Sequence, residues 1–169
     1  MRGITHFLAG AAAGLYYCTT LPDTDVKTLG IITGVSAAAS LLPDIDIRGS
    51  KASNNVGNDL VSVVRLFTSH RGFFHSPLCW AIVAAVVWYF CPQYLTFIIA
   101  GLIGALSHVV LDMFNKKGVP LFFPYPKKIS LMDIKSGGGV DAMLSAVFLI
   151  LCIYLAGKKA GLLELLINR

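Results

Sequence analysis

Residues 94–114 read YLTFIIAGLIGALSHVVLDMF. A stretch this long and this apolar is a membrane-spanning helix: a hydrocarbon core of about 30 Å needs about 20 residues of helix. Two residues break the pattern, His108 and Asp112, both in the last part of the segment. Ionisable side chains inside an apolar span are costly and by default functional. At spacing i, i+4 they project from one helix face and can hold one ion or two neighbouring ions.

Working outward, four more apolar segments appear, from about Ile4 to Leu21, Thr28 to Leu42, Pro77 to Phe90 and Val140 to Ala156. The second and third are short for a span, so tilt or local bilayer thinning must make up the difference. Charged residues make up 14% of the chain, against about 25% in soluble domains. The mean hydropathy of +0.72 agrees. The expected fold is all-α, a polytopic membrane helix bundle of about five apolar helices, with residues 1–169 as a single domain. Gly10 to Gly14, then Gly34 and Ala37 to Ala39, would let the first two helices approach closely. Gly101 and Gly104 would do the same on the fourth.

The net charge of +5 does not indicate nucleic acid, because the basic residues lie between apolar blocks and are not interleaved with aromatics on a soluble face. There they orient the protein and attract anionic headgroups. Arg2, Arg48, Lys51, Arg65, Arg71, Lys116, Lys117, Lys127, Lys128 and Lys135 collect on one side, against Lys27 on the other. This places the N-terminus and both long connections, 43–76 and 115–139, in the cytoplasm of a multi-pass inner-membrane protein. Lys158, Lys159 and Arg169 run against the rule. Either the last helix is bounded differently or the tail Gly161–Arg169 lies in the interface. Asn58–Phe67 carries an apolar stripe that suits a short surface helix. Cys18, Cys79, Cys91 and Cys152 form no C-x-x-C pair and read as buried free thiols. The N-terminal stretch reads as a retained first helix, since tyrosines occupy the positions where signal cleavage needs small residues.

The chain has four histidines, and the topology gathers them. His6 opens the first helix, Asp44 and Asp46 follow the second, His70 and His75 precede the third, and His108 and Asp112 end the fourth. All seven therefore fall at the same membrane face, the cytoplasmic one by the charge rule. Asp44 and Asp46, two apart, would lie on one side of an extended segment, with Pro43 helping to end the second helix. A catalytic zinc usually takes three protein ligands and keeps one position open. Seven candidates are too many for one ion and suit two, an arrangement fitted to phosphoester hydrolysis. Mixed imidazole and carboxylate ligation favours zinc, manganese or iron over calcium. A lone interfacial histidine is commonly a polar anchor, a reading that His6 by itself also allows. Asp23, Asp25, Asp59, Asp133 and Asp141 read as loop or cap residues.

Three motifs, Pro43-Asp44-Ile45-Asp46, His70-Arg71-Gly72-Phe73-Phe74-His75-Ser76 and the run from Ser107 through Asp112 to Pro124, resemble the YdjM/YbcI family. These are bacterial inner-membrane proteins described as metal-dependent hydrolases. The resemblance covers Thr5-His6 to about Pro124 and implies metal residues at His6, Asp44, Asp46, His70, His75, His108 and Asp112. The family is in turn distantly similar to zinc-dependent phospholipase C, a helical enzyme with a His and Asp metal cluster; that second step is analogy.

The expected function is a metal-dependent hydrolase of a phosphoester-bearing lipid or other anionic, membrane-proximal substrate. Arg71 is the candidate phosphate clamp, and Asp46 joins it as a candidate for the chemistry itself. Lys116 and Lys117 would add positive field, Gly118 would allow close backbone approach, and residues 121–126 would form an apolar rim or a structural loop. The competing expectation is a non-enzymatic protein whose divalent site is structural or serves transport. The midsections of the third and fourth helices, Ala81–Val87 and Thr96–Gly104, offer almost no polar path for an ion.

Overall fold

The computed structural model describes residues 1–46, 73–123, 125 and 127–159, with only the backbone of Ile45 and Asp46. The Asn58–Phe67 stripe and the tail Gly161–Arg169 lie outside the described residues. Within them run five α-helices: α1 (Gly3–Thr20), α2 (Val26–Ala39), α3 (Pro77–Phe90), α4 (Leu95–Met113) and α5 (Gly139–Lys159). Among the described residues there is no strand, only an isolated antiparallel bridge between Val119 and Ile129.

Local chemistry sets the helix boundaries. Asp25 caps α2 by accepting the Thr28 backbone N–H at 2.9 Å. Ser76 caps α3 through the Leu78 N–H, with Pro77 in the first turn, where its missing N–H costs nothing. Gly118, at φ +60°, turns the chain after α4, and Val119 then pairs with Ile129. A Cβ at Gly118 would come within 2.7 Å of the Ile129 carbonyl oxygen, so the close approach expected of this glycine is present.

Among the described residues, three helical stretches are long and apolar enough to cross a membrane: Val26–Asp44, Pro92–Met113 and Gly139–Lys159. The second apolar segment reaches this length because a 3-10 turn, Leu42–Asp46, extends α2. That turn corrects the expected extended segment at Asp44 and Asp46. Pro43 suits the first turn of a helix, and at three residues per turn positions two apart do not share a side. α3, at 14 residues, is only about 21 Å long. It still exposes Val86, Trp88, Tyr89 and Phe90, as α5 exposes Val147, Ile150, Ile153 and Tyr154. Apolar faces of this kind belong against hydrocarbon rather than water.

α1 packs against α2, α4 and α5; α4 also packs against α2 and α3. The close approach of α1, α2 and α4 centres on Ser36. A Cβ on Gly14 would lie 2.8 Å from the Ser36 Cβ, one on Gly10 would lie 2.6 Å from the Ser40 Cβ, and one on Gly104 would overlap the Ser36 carbonyl oxygen. Ser36 Oγ donates to the Gly10 carbonyl at 2.7 Å, which satisfies a buried hydroxyl at the crossing. The small residues thus act largely as expected, with one correction. Gly34 faces nothing within 4 Å, and Gly101 meets only ordinary contacts. The helical phase explains this, since Gly34 is two residues from Ser36 and lies on another face. α5 runs through Lys159, whose Nζ donates to the Leu21 carbonyl at 2.7 Å. Lys159 thus sits beside the end of α1, the end remote from His6.

Candidate metal centre

His6, in the first turns of α1, is 1% exposed. His108 and Asp112, one turn apart near the end of α4, are 0% and 1% exposed. His75 comes from the 3-10 turn Phe73–His75 just before α3 and is fully buried. Asp44 comes from the turn that extends α2. Four separate helix ends therefore meet in one layer.

One ligand atom each from Asp44, His75, His108 and Asp112 lies within 4.8 Å of the others. His75 Nε2 is 3.4 Å from Asp44 Oδ1 and 3.6 Å from Asp112 Oδ2. His108 Nε2 is 3.5 Å from Asp44 Oδ1 and 3.8 Å from Asp112 Oδ2. These separations exceed the 2.7–3.2 Å or so of an N–H···O hydrogen bond. They approach the spacing expected for ligands sharing an ion: two donors, each about 2.05 Å from a tetrahedral zinc, are about 3.3 Å apart.

The histidine nitrogens point the same way. His108 Nδ1 lies 2.7 Å from the Ser40 carbonyl oxygen. A carbonyl only accepts, so Nδ1 carries the proton and Nε2 presents a lone pair to the cluster. This arrangement orients a ligating histidine through its outer nitrogen. His108 Nε2 and both ring nitrogens of His75 and His6 are buried without a hydrogen-bond partner among the described residues. Buried polar atoms left in this way cost about 1–3 kcal/mol each, and a coordinated ion would relieve that cost. The donor set fits a divalent ion.

His6 joins from the side. Its ring stacks on His108 at 3.8 Å between centroids, and its Nε2 lies 3.5 Å from Asp112 Oδ1. The Met1 backbone nitrogen is 3.3 Å from the same oxygen. Of the seven residues expected to converge, five are brought together: His6, Asp44, His75, His108 and Asp112. The Asp46 side chain, His70 and Arg71 lie outside the described residues.

Several supporting contacts carry no signature in the sequence. Trp80 Nε1–H donates to the Phe74 carbonyl at 2.7 Å, holding the turn that presents His75. Phe73 packs edge-on against Phe123 at 5.3 Å, so the connection after α4 braces the same turn. Trp80→Phe removes one partly buried hydrogen bond and should cost about 1 kcal/mol. Thermal unfolding in detergent checks this; an unchanged midpoint would mean that the turn does not depend on the indole. Asp141 is also more than the cap residue expected, because its carboxylate accepts the Arg2 backbone N–H and the Thr5 hydroxyl at the start of α1 as well as the Gly137 N–H just ahead of its own helix. A clue was available, because it stands at the head of an apolar run.

The architecture is therefore a helical one with membrane-length apolar segments and, at one end, a buried His and Asp cluster that could hold a metal ion. The chain belongs to the YdjM inner membrane protein family, which matches residues 1–167. It is also 31% identical over 160 residues to "Uncharacterized protein YvsG" of Bacillus subtilis (strain 168), covering 91% of this chain and 94% of that protein. No solved structure matches the chain.

Proposed function

We propose that the protein is a multi-pass membrane metal-dependent hydrolase of a phosphoester-bearing lipid or other anionic, membrane-proximal substrate. The observation that carries the reading is the convergence of three helix ends on Asp44, His75, His108 and Asp112, one ligand atom of each within 4.8 Å of the others, with His6 of a fourth helix end beside them. The metal is proposed to be zinc, with manganese or iron as alternatives, and two ions if Asp46 and His70 complete the set. Bound there, a divalent ion would supply Lewis acidity to a phosphoryl oxygen and lower the pKa of a coordinated water. Asp44 and Asp112 would balance its charge, and Ser40 would fix the His108 tautomer. Arg71, four positions before His75 in the sequence, is the proposed bidentate clamp for a phosphate.

Charge bias supports a cytoplasmic placement of the site. The lipid class is supported by exposed Phe122 and Tyr125. Both flank Phe123, which touches the turn carrying His75, and Lys116 and Lys117 follow closely on Asp112. Aromatic and basic residues in that combination suit the headgroup layer.

The test is metal content by elemental mass spectrometry, followed by hydrolysis of short-chain phospholipids before and after chelation. Stripping the metal should lower the unfolding midpoint and abolish turnover, and refilling should restore both. Metal at a hundredfold its Kd stabilises a fold by about 2.7 kcal/mol. A protein that holds metal but neither binds phosphate nor cleaves phosphoesters would favour a second reading, a structural ion pinning the helix ends. The deep burial of His75, His108 and Asp112 is the observation on that side, since structural sites are coordinatively closed.

A further inference from the structure

Asp141 lies in the first turn of α5 and is fully buried, yet it takes no part in the His and Asp cluster. Its Oδ2 accepts the Gly137 backbone N–H at 2.6 Å, as a helix N-terminal carboxylate often does. The same oxygen accepts the Arg2 backbone N–H at 3.0 Å. The other oxygen, Oδ1, accepts the Thr5 hydroxyl at 2.5 Å. Thr5 Oγ1 also lies 2.8 Å from Ser145 Oγ, one turn further along α5. Arg2 adds a side-chain bond to the Gly137 carbonyl at 2.7 Å.

Capping α5 requires only one of these bonds. The other contacts fix the first turn of α1, in both rotation and height, against α5. Burying a carboxylate is expensive unless every acceptor is used, and packing alone would join two apolar helices more cheaply. The position gained by this arrangement belongs to the neighbour of Thr5, His6. That imidazole must face Asp112 and stack on His108, and among the described residues it has no hydrogen bond of its own to hold it there.

We propose that Asp141, acting through the Thr5 hydroxyl, is a positioning residue that sets His6 toward the metal centre. The proposal rests on the metal reading above. Outer-shell partners of this kind typically change metal affinity by about 10–100-fold. Because this one acts through a second residue, about tenfold is expected.

The experiment is a cobalt titration of detergent-purified, metal-stripped full-length protein, read by visible absorption. Thr5→Val keeps the shape and removes the hydroxyl, Thr5→Ser returns it, and Asp141→Asn tests the other partner. About tenfold weaker binding with an altered cobalt spectrum in Thr5→Val, and recovery of both in Thr5→Ser, is the expected result. Asp141→Asn should be impaired as well, since its single acceptor oxygen can serve either the two backbone N–H groups or the Thr5 hydroxyl, and in the first case Thr5 must turn from donor to acceptor. Wild-type binding matched by Thr5→Val in affinity and spectrum would overturn the positioning role alone. If the wild type binds no cobalt, the positioning role falls together with the metal reading. If Thr5→Val fails to fold, Asp141→Asn decides by the same two readouts.

Discussion

Asp112→Ala is expected to leave the purified protein without tightly held metal. Asp112 is the carboxylate at the centre of the cluster. One oxygen faces His6, and the other faces His75 and His108. Removing it takes away a ligand, together with the negative charge that would balance a divalent ion among three imidazoles. The loss of affinity should exceed the roughly 10–100-fold that accompanies loss of an outer partner. Metal content measured beside the wild type, with helicity checked by circular dichroism, decides the matter. A folded Asp112→Ala protein that keeps its full complement of metal would end the assignment of this site.

The second large effect is expected at Gly104, well inside the bundle. A methyl group there would overlap the Ser36 carbonyl, and backbone cannot rotate away as a side chain can. Gly104→Ala must therefore push α4 off α2, at a cost of about 3 kcal/mol, the upper end for overpacked cores. Gly34→Ala is the matched control, with nothing within 4 Å of the added carbon. It should be neutral or stabilising by about 0.5–1 kcal/mol, as expected for alanine replacing glycine within a helix. Unfolding midpoints of the two variants should separate clearly. Equal midpoints would mean that the α2–α4 crossing is looser than the contact at Ser36 implies.

The contrast between these glycines separates what hydropathy encodes from what it leaves open. Hydropathy places the five helices to within a few residues, because a run of apolar side chains without charge has few alternatives in a bilayer. It also puts His6, Asp44, His75, His108 and Asp112 in one layer, since alternating helix directions leave two possible ends for each residue. Which glycine lies at a crossing depends on rotation about the helix axis. In segments apolar all round, such as α2, no polar stripe reveals that rotation. The 3-10 turn at Leu42–Asp46 is hidden for a related reason, because proline is compatible with both a helix end and a new first turn. The Ser40 carbonyl and the Trp80 bond to Phe74 leave no trace in the sequence at all. Their partners are backbone atoms, which every residue carries.

The helix-end origin of the ligands has a consequence for the protein's supply. The donors come from segments as far apart in the chain as His6 and Asp112, so no short piece of nascent or unfolded chain presents a binding-competent set. On the proposed reading, ion capture and completion of the bundle are one event, and the free energy of one appears in the other. Under metal starvation such a protein would register the shortage first as lost abundance, with quality-control proteases removing the unfilled chains. The unfilled protein would not persist at its former level.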